Sequence, residues 1–316
     1  MTTGPVLAGD VTTVEREKPK RDAPAISLVS STLGRTSKLG RLLASLQRQT
    51  FADYEIIVVD QNPAGYLDGT IEPYRDNPRF TRVTSAKGVS HGRNVGIARA
   101  SGAIIGFPDD DCWYAPGVLE NVASLFRDNP QTAVVIGRTI DEQGRNSIVP
   151  ALPADCSIGK DDVLYVGNAN AIFFRRAALE AVGLFDERLG PGPATIFQSA
   201  EDLDIVARAV AAGFRVDFFT ALSIFHEQVD TGDRAGYLQR IGKYSLGTGA
   251  FFRKNGYGMA TVGGLLFKTL AGIPLRLLKR QPLELRPKFA YAYHIAAGYF
   301  LWPGKHLPAE NRKTGR

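Results

Sequence analysis

Apolar residues in this chain fall into short, β-branched runs, separated by stretches in which they recur three and four apart. Ala25-Ile26-Ser27-Leu28-Val29-Ser30 predicts a first strand, with Ser31-Thr32-Leu33-Gly34-Arg35 as its exit loop. Leu39, Leu42, Leu43 and Leu46 mark one stripe of a helix. Glu55-Ile56-Ile57-Val58-Val59-Asp60 has the near-continuous apolar run of a strand buried on both faces, and Gln61-Asn62-Pro63 breaks it. Residues 80–84 predict a third strand, 89–100 a helix ended by Gly102, and 103–107 a fourth strand. A helix over 116–126 and a strand over 133–137 follow. Residues 138–164 read as a polar loop, and 167–176 as a strand turning into a helix. Gly190-Pro191-Gly192-Pro193 suits no regular element. Leu203, Val206, Ala207 and Val210 mark a helix opening at Ser199 and ending near Gly213. A strand over 214–219 and a short segment, Ile224-Phe225-His226, close the series.

Strands alternating with helices at this spacing predict an α/β fold with a mostly parallel sheet covered on both faces. Ligands of such sheets bind beyond the carboxyl ends of the strands. Ser31 and Thr32, Asp60, and Asp109-Asp110-Asp111 all fall at such ends. No Gly-x-Gly-x-x-Gly and no Gly-x-x-x-x-Gly-Lys is present. A phosphate-bearing ligand would therefore need a metal rather than a glycine cradle to neutralise it.

The acidic triplet carries the first chemical signal. If the segment is extended, Asp109 and Asp111 point to one side and Asp110 to the other. Two converging carboxylates invite a hard divalent cation. The competing reading is a polar loop capping the next helix. Glu201 and Asp202 open a helix, where the macrodipole alone favours carboxylates. His226 after an apolar run suits either a ligand or a hydrogen-bonded core residue.

Charge is asymmetric. The chain of 316 residues is +6 overall, yet from Arg234 to Arg316 there are fifteen Lys and Arg against Glu284 and Glu310 alone. An anionic partner for this part is expected, a membrane surface or nucleic acid. No recognised nucleic-acid-binding module is present, so nucleic acid is not expected. Leu265, Leu266, Leu270, Ile273 and Leu277 form an apolar side, with Lys268, Arg276, Lys279 and Arg280 largely apart from it. Residues 289–302 are rich in aromatics, but no uncharged apolar run reaches the ~20 residues of a spanning helix. A basic amphipathic region, 231–316, that lies on an anionic membrane is expected. The alternative is packing on the α/β domain or on a second copy, giving a homodimer through these helices. Residues 1–24 are polar, with no apolar signal core, and are expected to form a flexible tail. Two cysteines, Cys112 and Cys156, cannot staple a chain of this size.

Over residues 25–230 the pattern resembles the family 2 glycosyltransferases, which have the GT-A fold. Val29-Ser30-Ser31-Thr32-Leu33-Gly34-Arg35 is similar to the family's first strand end, and Val58-Val59-Asp60 to its second. Gly88-Val89-Ser90-His91-Gly92-Arg93-Asn94-Val95-Gly96 is similar to its Ala-Arg-Asn-x-Gly helix start. Phe107-Pro108-Asp109-Asp110-Asp111 resembles its Asp-x-Asp motif and Ala200-Glu201-Asp202-Leu203-Asp204 its Glu-Asp motif, with Gly183-Leu184-Phe185-Asp186-Glu187 between them. No Gln-x-x-Arg-Trp follows, unlike the processive cellulose- and hyaluronan-type members.

The resemblance implies inverting transfer of a sugar from a nucleotide-diphosphate donor to an acceptor hydroxyl, on a saccharide or a polyprenyl-linked acceptor. It implies Mn2+ or Mg2+ at Asp111 and Asp109, with His226 completing the shell. Asp202 is the implied general base, with Glu201 orienting the acceptor. Ser31, Thr32, Arg35, Asp60, Arg93, Asn94, Asp109 and Asp110 are the implied donor-binding residues. The expected location is the cytoplasm, peripheral on the inner face of the plasma membrane. Two rivals stay open on the residues alone. A nucleotidyltransferase would need a lysine- or glycine-rich triphosphate loop near strand one, where only Arg35 stands. A catalytically silent membrane-docking scaffold would not need Asp109, Asp111 and Asp202 together.

Overall fold

The computed structural model describes residues 23–147, 152–166, 168–192, 195–228, 233–278 and 285–304. The expected tail lies outside this range except for its last two residues, as do Lys279, Arg280 and Glu284. The strands are β1 (Ile26–Thr32), β2 (Tyr54–Asp60), β3 (Phe80–Thr84), β4 (Ile104–Gly106), β5 (Cys112–Trp113), β6 (Thr132–Ile140), β7 (Cys156–Ser157), β8 (Ile172–Arg175) and β9 (Arg215–His226). The helices are α1 (Thr36–Gln47), α2 (Asp68–Ile71), α3 (Val89–Ile97), α4 (Val118–Asp128), α5 (Arg176–Val182), α6 (Glu201–Ala211), α7 (Arg234–Lys254), α8 (Met259–Leu278) and α9 (Leu285–Leu301).

One sheet runs β3-β2-β1-β4-β8-β6-β9-β5, with β7 on β9. The first half is parallel, as expected. Beyond β4 the sheet is mixed, because β8 enters antiparallel between β4 and β6. The alternation of side chains places Leu28 and Val58 on one face with α1 and α4. Val29, Ile57 and Val59 lie on the other face with residues of α5, α6, α7 and α9. Both faces are buried, which is why β2 carries no polar alternation.

Three local expectations are corrected. Ser31 and Thr32 belong to β1, paired with Val59 and Asp60, and are not an exit loop. The segments read separately at 214–219 and 224–226 are one strand, β9, whose register shifts against β6. The acidic triplet is not extended: Cys112 N donates to Asp109 O at 3.2 Å, so the chain turns through Asp110 and Asp111. The period-two argument fails there because it holds only where a ladder keeps the backbone straight.

The C-terminal helices pack on the sheet domain. Phe251 and Phe252 of α7 and Ile295 of α9 are completely buried in the same core as β1 and β6. A Cβ on Gly249 would run into Ile295 O, and one on Gly298 into Leu246 O, so glycine lets α7 and α9 touch backbone to backbone. Lys254 lies 2.7 Å from both Asp204 and Asp186, and Asn255 donates to Asp204 at 3.0 Å. The expected apolar side of α8 holds at Leu265 and Leu266, which pack on the core, while Lys268 is exposed.

Candidate active site

The site assembles from four segments. The acidic turn after β4 supplies Asp109, Asp110 and Asp111. The end of β9 supplies His226, because β5 pairs antiparallel with β9 and sets Cys112 opposite His226. Helix α3 supplies Arg93, and the first turn of α6 supplies Glu201 and Asp202.

Arg93 joins the two acidic motifs. It is buried, donates from Nη1 to Glu201 Oε1 at 3.0 Å and from Nη2 to Asp109 Oδ1 at 2.9 Å, and lies over the Phe185 ring. Two carboxylates from distant parts of the chain, Asp109 and Glu201, thus share one guanidinium. Burial alone would lower the Arg93 pKa, but the charges of Asp109 and Glu201 outweigh it and raise it. Asn168 Nδ2 donates to the other oxygen of Asp109 at 3.2 Å. Burial, with a smaller contribution from Asp111, holds Asp109 above the ordinary carboxylate range despite Arg93.

Asp110 and Asp111 converge on Arg35, whose Nη1 lies 2.7 Å from Asp110 Oδ1 and 2.5 Å from Asp111 Oδ2. The other oxygen of Asp111 faces His226 Nε2 at 3.3 Å. Burial works against ionising Asp111, but the contacts with His226 and Arg35 win and lower its pKa. His226 is raised for the reciprocal reason, Asp111 outweighing burial. His226 Nδ1 lies 2.5 Å from Glu227 O; in the neutral ring with Nδ1 donating to that carbonyl, Nε2 turns a lone pair toward Asp111. Two acceptors then face each other unless a proton or a cation lies between them. A carboxylate with an imidazole whose second nitrogen is fixed by a backbone carbonyl suits a divalent cation. Among the described residues no group of three or more His, Cys, Asp or Glu is gathered for a metal ion. Asp111 and His226 are together, while Asp109 is turned to Arg93 and Asn168.

Asp202 lies on the Glu201 side. Burial, then the neighbouring Glu201 carboxylate, pushes its pKa up to about 7, with Arg93 opposing and Asp109 adding to the rise. Both motifs therefore act on Asp202 electrostatically. Ala200, just before α6, has φ 71°, among the described residues the only non-glycine in the left-handed region. That conformation costs about 1–2 kcal/mol and turns the chain so that Glu201 and Asp202 begin the helix. Gly190 (φ +97°) lies against this turn: a Cβ there would come within 3.0 Å of Glu201 Cδ and 2.9 Å of Ser90 Oγ.

The other expected donor residues are placed as follows. Asp60 is 1% exposed and accepts from Arg82 at 2.6 Å and from Asn62 Nδ2 at 2.8 Å. Asn94 clamps the segment after α5, donating to Phe185 O and Glu187 Oε1 and accepting from Phe185 N. Ser31 Oγ is buried without a hydrogen-bond partner, against Gly92 of α3. Thr32 is buried beside it at the end of β1. Asn168 and Tyr244 escaped the sequence reading. Asn168 lies in a stretch read as strand. The Tyr244 ring belongs to α7, and its phenol is raised by burial and by the charges of Glu201 and Asp109.

Residues 27–182 match the profile described as glycosyl transferase family 2. The chain belongs to that family. This glycosyltransferase is 26% identical over 309 residues to glycosyltransferase AglE of Haloferax volcanii, covering 93% of this chain and 87% of that one. It is 28% identical over 167 residues to the GalNAc(5)-diNAcBac-PP-undecaprenol beta-1,3-glucosyltransferase of Campylobacter jejuni, covering 50% of this chain and 53% of that one. Its fold is that of mannosyltransferase PcManGT from Pyrobaculum calidifontis, solved in complex with GDP-Man and Mn2+. The TM-score is 0.58 at 15% identity, over 89% of this chain and 88% of that one.

Proposed function

We propose that this glycosyltransferase moves a sugar, with inversion, from a nucleotide-diphosphate donor to an acceptor hydroxyl, the acceptor being lipid-linked. The observation that carries this reading is the Arg93 bridge, which ties the acidic turn after β4 to the acidic start of α6. One side of the cleft then handles a leaving diphosphate and the other an attacking hydroxyl. The PcManGT complex with GDP-Man supports the donor class, and the undecaprenol-linked substrate in the Campylobacter relative's name supports the acceptor class.

Asp202 is the general base in this reading. A base is most effective with a pKa near the working pH, and Asp202 at about 7 meets that condition. Arg93 holds Glu201 in place, and Glu201 orients the acceptor hydroxyl toward Asp202. Arg35, fixed by Asp110 and Asp111, meets the donor phosphates. Asp111 and His226 would hold Mn2+ or Mg2+, with Asp109 adjoining. When bound, such a cation neutralises the charge that builds on the departing diphosphate.

The protein works at an anionic membrane surface in this reading. No helix among the described residues is long and apolar enough to cross a membrane. Phe267 on α8 and Phe289, Tyr293 and Phe300 on α9 are nevertheless exposed, Phe267 to 73%. Aromatics on basic helices suit the interface.

A screen of nucleotide sugars by thermal shift, with and without Mn2+, tests the donor class. Product NMR then tests the stereochemistry. A retained anomeric configuration, or no nucleotide sugar that raises Tm, would refute the reading.

A further inference from the structure

A cleft of about 450 Å3 opens beside the Glu201–Asp202 end of the site, where α7 faces Pro191 and Gln198. Arg240, Lys243, Tyr237 and Tyr244 line it. Gly236, Arg240 and Lys243 are four and three apart, so they share one face of α7. Among the described residues neither Arg240 nor Lys243 forms an ion pair, whereas Arg35, Arg93 and Lys254 do. The acidic residue at the rim, Asp233, is engaged by the helix itself, accepting from Gly236 N at 3.1 Å. The cleft is therefore a concave, positively charged surface without its anion.

Its position relative to the proposed base is fixed. Ser199 Oγ donates to Tyr244 O at 2.6 Å, and a Cβ on Gly247 would strike the Ser199 backbone, so α7 sits directly on the segment leading into α6. Arg35 and His226 are engaged with the acidic turn after β4, which meets Glu201 through Arg93. An anion held by Arg240 and Lys243 thus belongs with the attacking hydroxyl rather than with the departing nucleotide.

Resting on the proposed transfer reaction, we infer that the cleft between α7 and the Pro191 and Gln198 backbone binds a phosphate or diphosphate group carried by the acceptor. Arg240 and Lys243 hold the anion, and Tyr237 and Tyr244 present hydroxyls and ring faces beside it. The sugar or hydroxyl attached to that phosphate then extends past Tyr244 toward Asp202.

The test is calorimetric titration of the full chain with farnesyl diphosphate, pyrophosphate, farnesol, and UDP or GDP with Mn2+. The proteins are wild type, Arg240→Ala/Lys243→Ala and Arg240→Glu/Lys243→Glu. All the substituted residues are exposed, so folding is retained, and Tm checks it. Farnesyl diphosphate is expected to bind wild type, to weaken on the order of tenfold or more in the alanine variant, and to be lost in the glutamate variant. Nucleotide affinity stays constant across the three. Pyrophosphate binding as tight as that of farnesyl diphosphate identifies the anion alone as the ligand, and tighter farnesyl diphosphate adds the lipid; either result upholds the cleft. Equal farnesyl diphosphate affinity in all three proteins, no binding to wild type, or parallel loss of nucleotide affinity would overturn the inference. If nucleotides fail to bind wild type at all, the transfer reading fails instead, so the two failures are separable.

Discussion

Replacing Asp202 by Asn should stabilise the protein while removing its activity, and the stabilisation should depend on pH in a defined direction. In the unfolded chain the carboxyl has its ordinary pKa of 3.8, and in the folded protein it lies at about 7. Below 3.8 both states hold the proton and no cost exists. Between 3.8 and about 7 the folded state keeps a proton that the unfolded state releases, so stability falls as pH rises. Above that window the full cost of burying the charge beside Glu201 is present. A rise of this size corresponds to about 4 kcal/mol at most. Water reaching the partly open carboxylate screens it, which leaves about 2 kcal/mol. Asn carries no charge at any pH and can still accept the 2.8 Å hydrogen bond from Leu203 N. In EDTA, Tm of Asp202→Asn should exceed wild type by about 3 °C at pH 8, and by less than half that at pH 5. A difference that is constant with pH, or a lower Tm for the variant at pH 8, would refute the placement of Asp202 in a buried, anionic neighbourhood.

Arg93→Met leaves Asp109 and Glu201 without their shared cation; turnover should fall by about two orders of magnitude or more, with a loss of about 3 kcal/mol in urea unfolding. Gly190→Ala forces a side chain against Glu201 at a left-handed residue; kcat should drop while donor KM stays near wild type. Lys254→Met removes the cation that the completely buried Asp204 shares with Asp186, leaving Arg208 on the first and Arg188 on the second, and chemical denaturation should show about 1–3 kcal/mol of destabilisation. In steady-state assays the pH profile of kcat/KM should rise to a plateau through about pH 7, as Asp202 ionises.

The parallel half of the sheet was legible because β1 and β2 are buried along nearly their whole length and their apolar residues say so. The pairing of β8 between β4 and β6 was not, since periodicity gives a strand but not its neighbours. Asp111, Glu201 and Asp202 were singled out by motif order and His226 by its place after an apolar run, yet the partners of all four were not legible. Arg93 was expected on the donor; in the structure it lies between the two acidic motifs. That role depends on α3 and α6 lying on the same face of the sheet, a long-range fact. Ala200 gave no signal at all, since nothing about alanine announces a positive φ. The basic C-terminal part was read for its charge, whereas its packing rests on Gly249 and Gly298, small residues whose meaning appears only when another helix lies against them.

The most direct test of a divided site, cation and diphosphate on one side and proton transfer on the other, is calorimetric titration of UDP or GDP with Mn2+ into wild type, Asp111→Asn and Asp202→Asn. The expected result is binding to Asp202→Asn within a few-fold of wild type and loss of the Mn2+-dependent part of binding in Asp111→Asn. Unchanged binding in Asp111→Asn together with loss in Asp202→Asn would contradict it.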